Sequence, residues 1–260
     1  MAASPKLISV TGGVAVGKST FARKLQRVLM RRHGQRVEVV STDGFLRSDS
    51  VLTEAGIMHR KGFPESFDHK ALAAFFQAVR DPEAQLSVPV YCHSARGCVG
   101  QRELGRPDWL IIEGVYAQQP TRASGLESYA VFLEADQALI QHWYTERFLR
   151  LHGKRFSERE RAIMRAEQLY TDVNYSNYLN CIAPLRSSAD QVLYKNAEHM
   201  LEAGSGGTMS PVAAFSSLSS PESRSYTDVF GEDGTHHAES IITHHRHHPD
   251  AHERGLQHGA

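Results

Sequence analysis

Apolar residues along this chain alternate between short unbroken runs and helically spaced ones. Lys6–Val10 is an apolar run of strand length, and Trp109–Ile112 and Tyr129–Leu133 are of the same kind. Runs without polar alternation fit strands covered on both faces, as in a parallel sheet. Arg36–Ser41 is β-branched and predicts a further strand, Ser87–Tyr91 an extended segment, and Gln191–Tyr194 a last strand. Between the strands, Ser19–Arg32 spaces Phe21, Leu25, Val28 and Leu29 along one helical face. Lys70–Arg80 is a shorter amphipathic helix, Asp136–Leu151 a long one, and Glu158–Tyr170 another. Strand and helix signals in alternation predict an α/β fold with a mostly parallel central sheet flanked by helices.

The pattern stops near residue 203. Gly204-Ser205-Gly206-Gly207 reads as a flexible break, Ser216–Ser225 is Ser-rich, and residues 236–258 hold about half of the chain's 15 histidines. Too few large apolar residues remain there to offset the entropy of ordering the backbone. The expected organisation is one folded unit over 1–203 and a disordered Gly/Ser/His-rich tail over 204–260. A His-rich tract has affinity for transition metals, and a plain solvated tail has the same composition.

Composition narrows the partners. Lys plus Arg number 29 and Asp plus Glu number 29, so the chain of 260 residues carries no net charge with which to hold nucleic acid or an anionic membrane. Cys92, Cys98 and Cys181 form no CxxC pair and suit a reducing cytoplasm. Met1–Lys6 is too short and too weakly basic to open a signal peptide, and no segment reaches the roughly 20 apolar residues that a bilayer span requires.

The chemistry is concentrated at the ends of the predicted strands. Gly12-Gly13-Val14-Ala15-Val16-Gly17-Lys18-Ser19 matches GxxxxGK[ST], is followed by Thr20, and lies between a strand and a helix. Glycines let the backbone curl so that N–H groups converge on phosphate oxygens, and the helix N-terminus adds partial positive charge. Lys18 is placed for the β/γ-phosphates of ATP, and the Ser19 hydroxyl suits Mg²⁺, which prefers hard oxygen ligands. Glu113 closes the strand Trp109–Ile112, where it either holds Mg²⁺ through water or caps the turn at Gly114. Asp43, in Ser-Thr-Asp-Gly-Phe after the second strand, is either the base near an acceptor hydroxyl or a turn residue before Gly44.

Further segments carry a family resemblance. Lys-Gly-Phe-Pro-Glu-Ser-Phe-Asp (61–68) and Trp-Tyr-Thr-Glu-Arg-Phe-Leu (143–149) are its most specific parts. Thr-Asp-Gly-Phe-Leu (42–46), Pro-Val-Tyr-Cys-His (89–93), Ile-Ile-Glu-Gly (111–114) and Val-Asn-Tyr-Ser-Asn (173–177) follow in order. From residue 7 to about 202 the chain resembles the bacterial type I pantothenate kinases, P-loop kinases of the phosphoribulokinase and uridine kinase group. The resemblance implies a P-loop kinase fold and MgATP-dependent phosphorylation of pantothenate at its primary hydroxyl, the first step toward coenzyme A. It also implies a homodimer. It puts Asp43 near the acceptor hydroxyl and lines the pantothenate site with Tyr91, His93, Tyr144, Arg147 and Asn174. Arg23 and His199 match positions near the nucleotide or the coenzyme A inhibitor.

Four of these residues, Tyr144, His93, Asn174 and Arg23, have a second reading. Tyr144 and Arg147 stand three apart and share a helix face, where Arg147 suits an anionic oxygen; Tyr144 also suits a core edge. His93 also suits a hydrogen-bonded loop, Asn174 a cap just past a helix, and Arg23 a solvated helix position. The chain departs from the family in its short segment before the phosphate loop and in short stretches at 114–129 and 156–174. Leu151 stands where the family has an aromatic residue, although Phe156 is kept. A changed pocket leaves a related kinase for glycerate, a nucleoside or a sugar phosphate as one alternative, and a non-catalytic nucleotide-binding regulator as another.

Overall fold

The computed structural model describes residues 4–93 and 95–203, so the expectations for 204–260 lie outside the described residues. Its first strand, β1 (Lys6–Gly12), is buried from Leu7 onward, which is what an apolar run without alternation requires. It pairs in parallel with β5 (Trp109–Glu113) on one side and with β6 (Ser128–Ala135) on the other. Outside β5 lies β2 (Val37–Ser41), also parallel; outside β6 lie parallel β7 (Gln191–Lys195) and antiparallel β8 (Leu201–Ala203). The sheet order is therefore β2-β5-β1-β6-β7-β8.

Both faces of this sheet are packed. On one, Ile8, Val10, Ile111, Val131 and Leu133 meet Phe21, Leu25 and Leu29 of α1 (Lys18–His33). On the other, Leu7, Val40, Leu110 and Ile112 meet Leu72, Phe75, Phe76 and Val79 of α3 (His69–Arg80). Strand neighbours alternate between the two cores because side chains in a strand alternate in direction. Asp68 starts α3 by accepting from Ala71 N, and Asp136 starts α5 (Gln137–His152) by accepting from Ala138 N.

A separate antiparallel hairpin joins β3 (Leu86–Cys92) to β4 (Gly97–Leu104). Ser87–Tyr91 is extended as expected, but β4 is unpredicted. Two six-residue helices, α2 (Asp49–Glu54) and α4 (Gln118–Ala123), are also unpredicted. The predicted helix Glu158–Tyr170 becomes α6 (Arg159–Leu169) and then rewinds into π-helical turns at Tyr170–Tyr175 and Tyr178–Ile182. Asn174 therefore lies inside a π-helical turn and not past a helix end, which corrects the cap reading. No helix among the described residues is long and apolar enough to cross a membrane.

Candidate active site

Parallel pairing brings the ends of three strands together. Ser41 stands level with Glu113, and Glu113 with Val10, so the loops after β1, β2 and β5 open on one crevice. The loop after β1 curls tightly: Gly17 has φ 100° and Ala15 φ 59°. A β-carbon on Gly12 would lie 2.3 Å from the Leu133 carbonyl oxygen, so this close approach to β6 admits only glycine. α1 begins at Lys18 with no side-chain cap and no acidic residue in its first turn, which leaves its N-terminal N–H groups and dipole to an anion.

Lys18 is buried and donates to the carbonyls of Gly12 (3.1 Å) and Gly13 (2.7 Å). Burial lowers its pKa to about 8, and Arg147 acts in the same direction, against the opposing pull of Glu113 and Asp43. Glu113 is buried too; burial raises its pKa, the charge of Asp43 adds to the rise, and Lys18 and the hydroxyls of Ser41 and Ser19 oppose it. A serine hydroxyl and one carboxylate thus converge beside the phosphate loop. No cluster of three His, Cys, Asp or Glu suited to a metal occurs among the described residues. The Ser19–Glu113 pair fits Mg²⁺ none the less, because that ion takes most of its oxygens from water and phosphate.

Asp43 sits in a 3₁₀ turn, Thr42–Phe45, capped by Ser41. Gly44 is packed so closely that an added β-carbon would lie 2.3 Å from the Pro89 carbonyl oxygen, so the hairpin presses directly on this turn. Cys98 of β4 donates to Gly44 O at 3.1 Å from the same side. His93 follows β3, with its Nε2 3.9 Å from Asp43 Oδ2 and 3.0 Å from Nη2 of Arg147 on α5. Arginine only donates, so Nε2 accepts and the imidazole proton resides on Nδ1. Burial and then Arg147 lower the His93 pKa, with Asp43 opposing, so the ring is neutral near pH 7.

Tyr144 and Arg147 share the cleft-facing side of α5, as their spacing predicts. Burial raises the Tyr144 pKa, against the smaller opposing effect of the nearby Asn174 amide, whose Nδ2 donates to Leu169 O at 3.1 Å. Its ring packs against Tyr170 at 5.6 Å and Phe148 at 6.4 Å. Tyr91 meets the His93 ring edge-on at 5.2 Å. Arg23 is solvent-exposed, as is Leu151, whereas Phe156 packs on Phe148. The His199 ring lies tilted against Trp143 at 4.8 Å, and the Trp143 ring also receives the Lys195 ammonium at 4.5 Å.

The crevice also holds residues beyond the candidates that the sequence offers. Ser41 is one; its signal is a polar residue ending a strand beside Glu113. Lys195 donates to the loop carbonyl of Val16 at 3.2 Å, and burial lowers its pKa. Lys61 lies 5.4 Å from the Tyr91 ring centre and is paired with Asp49, which also meets Arg96 at 3.1 Å.

Comparison with known proteins gives a consistent family. Residues 7–201 match the family described as phosphoribulokinase / uridine kinase. A pantothenate kinase from Enterococcus faecalis is 39% identical over 218 residues, covering 76% of this chain and 71% of that one. One from Leifsonia xyli is 40% identical over 218 residues, covering 76% and 68%. Among solved structures, phosphoribulokinase from Rhodobacter spheroides aligns with a TM-score of 0.52 at 18% identity, covering 74% of this chain and 71% of that one. D-glycerate 3-kinase from Cryptococcus neoformans aligns with a TM-score of 0.54 at 13% identity, covering 78% and 91%. At such identities these structures speak for the fold alone.

Proposed function

This chain belongs to the phosphoribulokinase/uridine kinase family and, within it, to the pantothenate kinases; it is an ATP-dependent kinase, and we propose that it phosphorylates pantothenate on its primary hydroxyl, the first step of coenzyme A synthesis. The observation that carries the reading is the meeting of two sides at Asp43. Its turn follows β2, whose last residue stands level with Glu113 on the phosphate side, and its carboxylate lies 3.9 Å from His93 Nε2 on the acceptor side.

The phosphate loop Gly12–Thr20 binds the ATP phosphates through backbone N–H groups and the N-terminus of α1. Lys18 and Arg147 are the cations assigned to the transferred group, where they stabilise charge spread over its oxygens in the transition state. Asp43 accepts the proton of the acceptor hydroxyl and aims that oxygen at phosphorus. Ser19 and Glu113 would hold Mg²⁺, which when bound would neutralise phosphate charge. The proton-free Nε2 of His93 accepts from Arg147 and thereby aims the guanidinium at the cleft. Tyr144 and Asn174 form a hydroxyl–amide pair for the polar body of pantothenate, and Tyr91 flanks it with an aromatic face. The same reading places the protein in the cytoplasm as a homodimer, where the scattered Cys92, Cys98 and Cys181 suit a reducing compartment.

The test is an ADP-release assay with pantothenate, glycerate, uridine and ribulose 5-phosphate as acceptors. Pantothenate should give the highest kcat/KM by about tenfold or more, since a site built for its amide and hydroxyls leaves buried groups unpaired with the others. A higher kcat/KM for any of the other three would overturn the assignment.

A further inference from the structure

The segment from Tyr170 to Ile182 winds as a π-helix twice, and such wide turns re-aim side chains, often at functional sites. Asn177 lies between the two π stretches and is only 6% exposed. Its Nδ2 donates to the Gly62 carbonyl oxygen at 2.8 Å, across 115 residues of chain. Gly62, at φ 97°, opens a braced loop: its N–H donates to Ser66 Oγ (2.9 Å), and buried Ser66 donates onward to Phe63 O (2.7 Å). The residue before it, Lys61, faces the Tyr91 ring and acts electrostatically on His93.

The other amide atom tells a different story. Asn177 Oδ1 is buried and has no hydrogen-bond partner among the described residues. One bond made and one acceptor left bare roughly cancel in stability, so packing energy does not explain an asparagine at this position. What the side chain achieves is geometric. It ties the segment that carries Asn174 to the loop that carries Lys61, whose ammonium lies 5.4 Å from the Tyr91 ring centre.

We propose that Asn177 is a positioning residue that sets the spacing between the Tyr144–Asn174 wall and the Lys61–Tyr91–His93 wall, and so governs binding of the acceptor but not of ATP. The inference rests on the proposed function for the identity of the acceptor. Two variants test it. Asn177→Leu removes both amide atoms, and Asn177→Asp keeps the shape but loses the donor when ionised. The KM for pantothenate should rise about three- to tenfold in each, the worth of one hydrogen bond, while the KM for ATP moves by less than about twofold. An unchanged pantothenate KM, or equal rises for both substrates, overturns the proposal.

A protonated carboxyl can again donate to Gly62 O, and burial favours that form. The defect of Asn177→Asp should therefore shrink as the pH is lowered from about 8 to about 6, the pH response of the wild type serving as reference. A defect constant over that range counts against the proposal, and this variant carries the test should Asn177→Leu not fold. Hydrogen exchange needs no acceptor: the Gly62 and Ser66 amides should exchange faster in the variants, and unchanged rates overturn the tie. A wild type that leaves pantothenate untouched but phosphorylates another alcohol defeats the proposed function instead, and the same KM split is then read with that alcohol.

Discussion

The phosphate loop spans consecutive residues between β1 and α1, whereas the acceptor wall draws Lys61, Tyr91, His93, Arg147 and Asn174 from well-separated stretches of chain. The first is fixed by backbone. Gly12 and Gly17 allow the curl, the loop carbonyls of Gly12 and Gly13 hold Lys18, and strand pairing holds the loop beside Glu113. The second is fixed by side chains reaching across the cleft, among them Arg147 to His93 and Asn177 to Gly62. A phosphate looks much the same in every nucleotide, so a backbone cradle serves for all of them. An acceptor alcohol differs from kinase to kinase, and walls held by individual side chains can be altered without disturbing the sheet. Substitutions on the phosphate side should therefore cost chemistry, and those on the acceptor side should cost selectivity.

The largest expected effect is that of Lys18→Ala, with kcat reduced by about 10³-fold or more, by analogy with the loss of a preorganised group at a developing charge. The coupled assay measures the rate, and calorimetry should show loss of most ATP affinity. The variant should fold, because it removes a buried ammonium whose pKa burial has already lowered. Full turnover by the folded variant would break the mechanism and with it the contrast between the two walls.

Asp43→Asn comes next, with kcat down about 10²-fold, the usual range for a general base, and ATP binding retained. Asn keeps the ability to form the Thr42–Phe45 turn, so a purely structural Asp43 predicts near-normal kcat. If Asp43 instead holds Mg²⁺, raising the Mg²⁺ concentration should restore part of the rate. Steady-state kinetics at two Mg²⁺ levels separates the three outcomes.

The same division governs what the sequence could reveal. The phosphate loop was legible because strand, glycines, lysine and helix are contiguous, and Glu113 because it ends an apolar run. Strand β4 was not: its residues from Cys98 to Glu103 are solvent-exposed, and inward-facing Leu104 is too little to make a periodic signal. Asn174 is legible only through the family motif, and the sequence puts it past a helix end because no local residue announces a π turn. Lys61 and Asn177 derive their roles from partners far along the chain, Tyr91 and Gly62, and neither spacing nor composition carries that information. The departure at Leu151 is visible as exposure, since it does not fill the aromatic cluster of Tyr144, Phe148 and Phe156.

Tyr144→Phe tests the acceptor wall directly. It removes the hydroxyl that Asn174 influences and keeps the ring packed on Tyr170 and Phe148. The pantothenate KM should rise about three- to tenfold, with the ATP KM and the melting temperature nearly unchanged. A parallel rise in the ATP KM would mean that the two walls are not independent.

The smallest effect is on stability, and it reads the electrostatics of the phosphate side without any turnover. Lys18 has an ordinary pKa of 10.5 and one of about 8 in the folded protein, chiefly because it is buried. Below about pH 8 both folded and unfolded chains carry this proton, and the fold bears the full cost of a buried ammonium. As the pH rises above 8 the folded chain loses the proton first. The unfolded chain then binds more protons, so stability increases with pH until both forms are neutral. Lys24 and Lys195 are lowered in the same direction, so the wild-type trend alone does not isolate Lys18. Comparison with Lys18→Met does, since methionine has similar length and no charge. Between about pH 8 and pH 9.5, below the range in which the tyrosines titrate, the melting temperature of nucleotide-free wild type should rise relative to that of the variant. Saturating ATP should flatten that difference for wild type, because the triphosphate's negative charge favours the ammonium and lifts its pKa back. A relative slope of zero without nucleotide would mean that the lysine is solvated in the free protein, and that the phosphate side, like the acceptor side, is completed only when its ligand arrives.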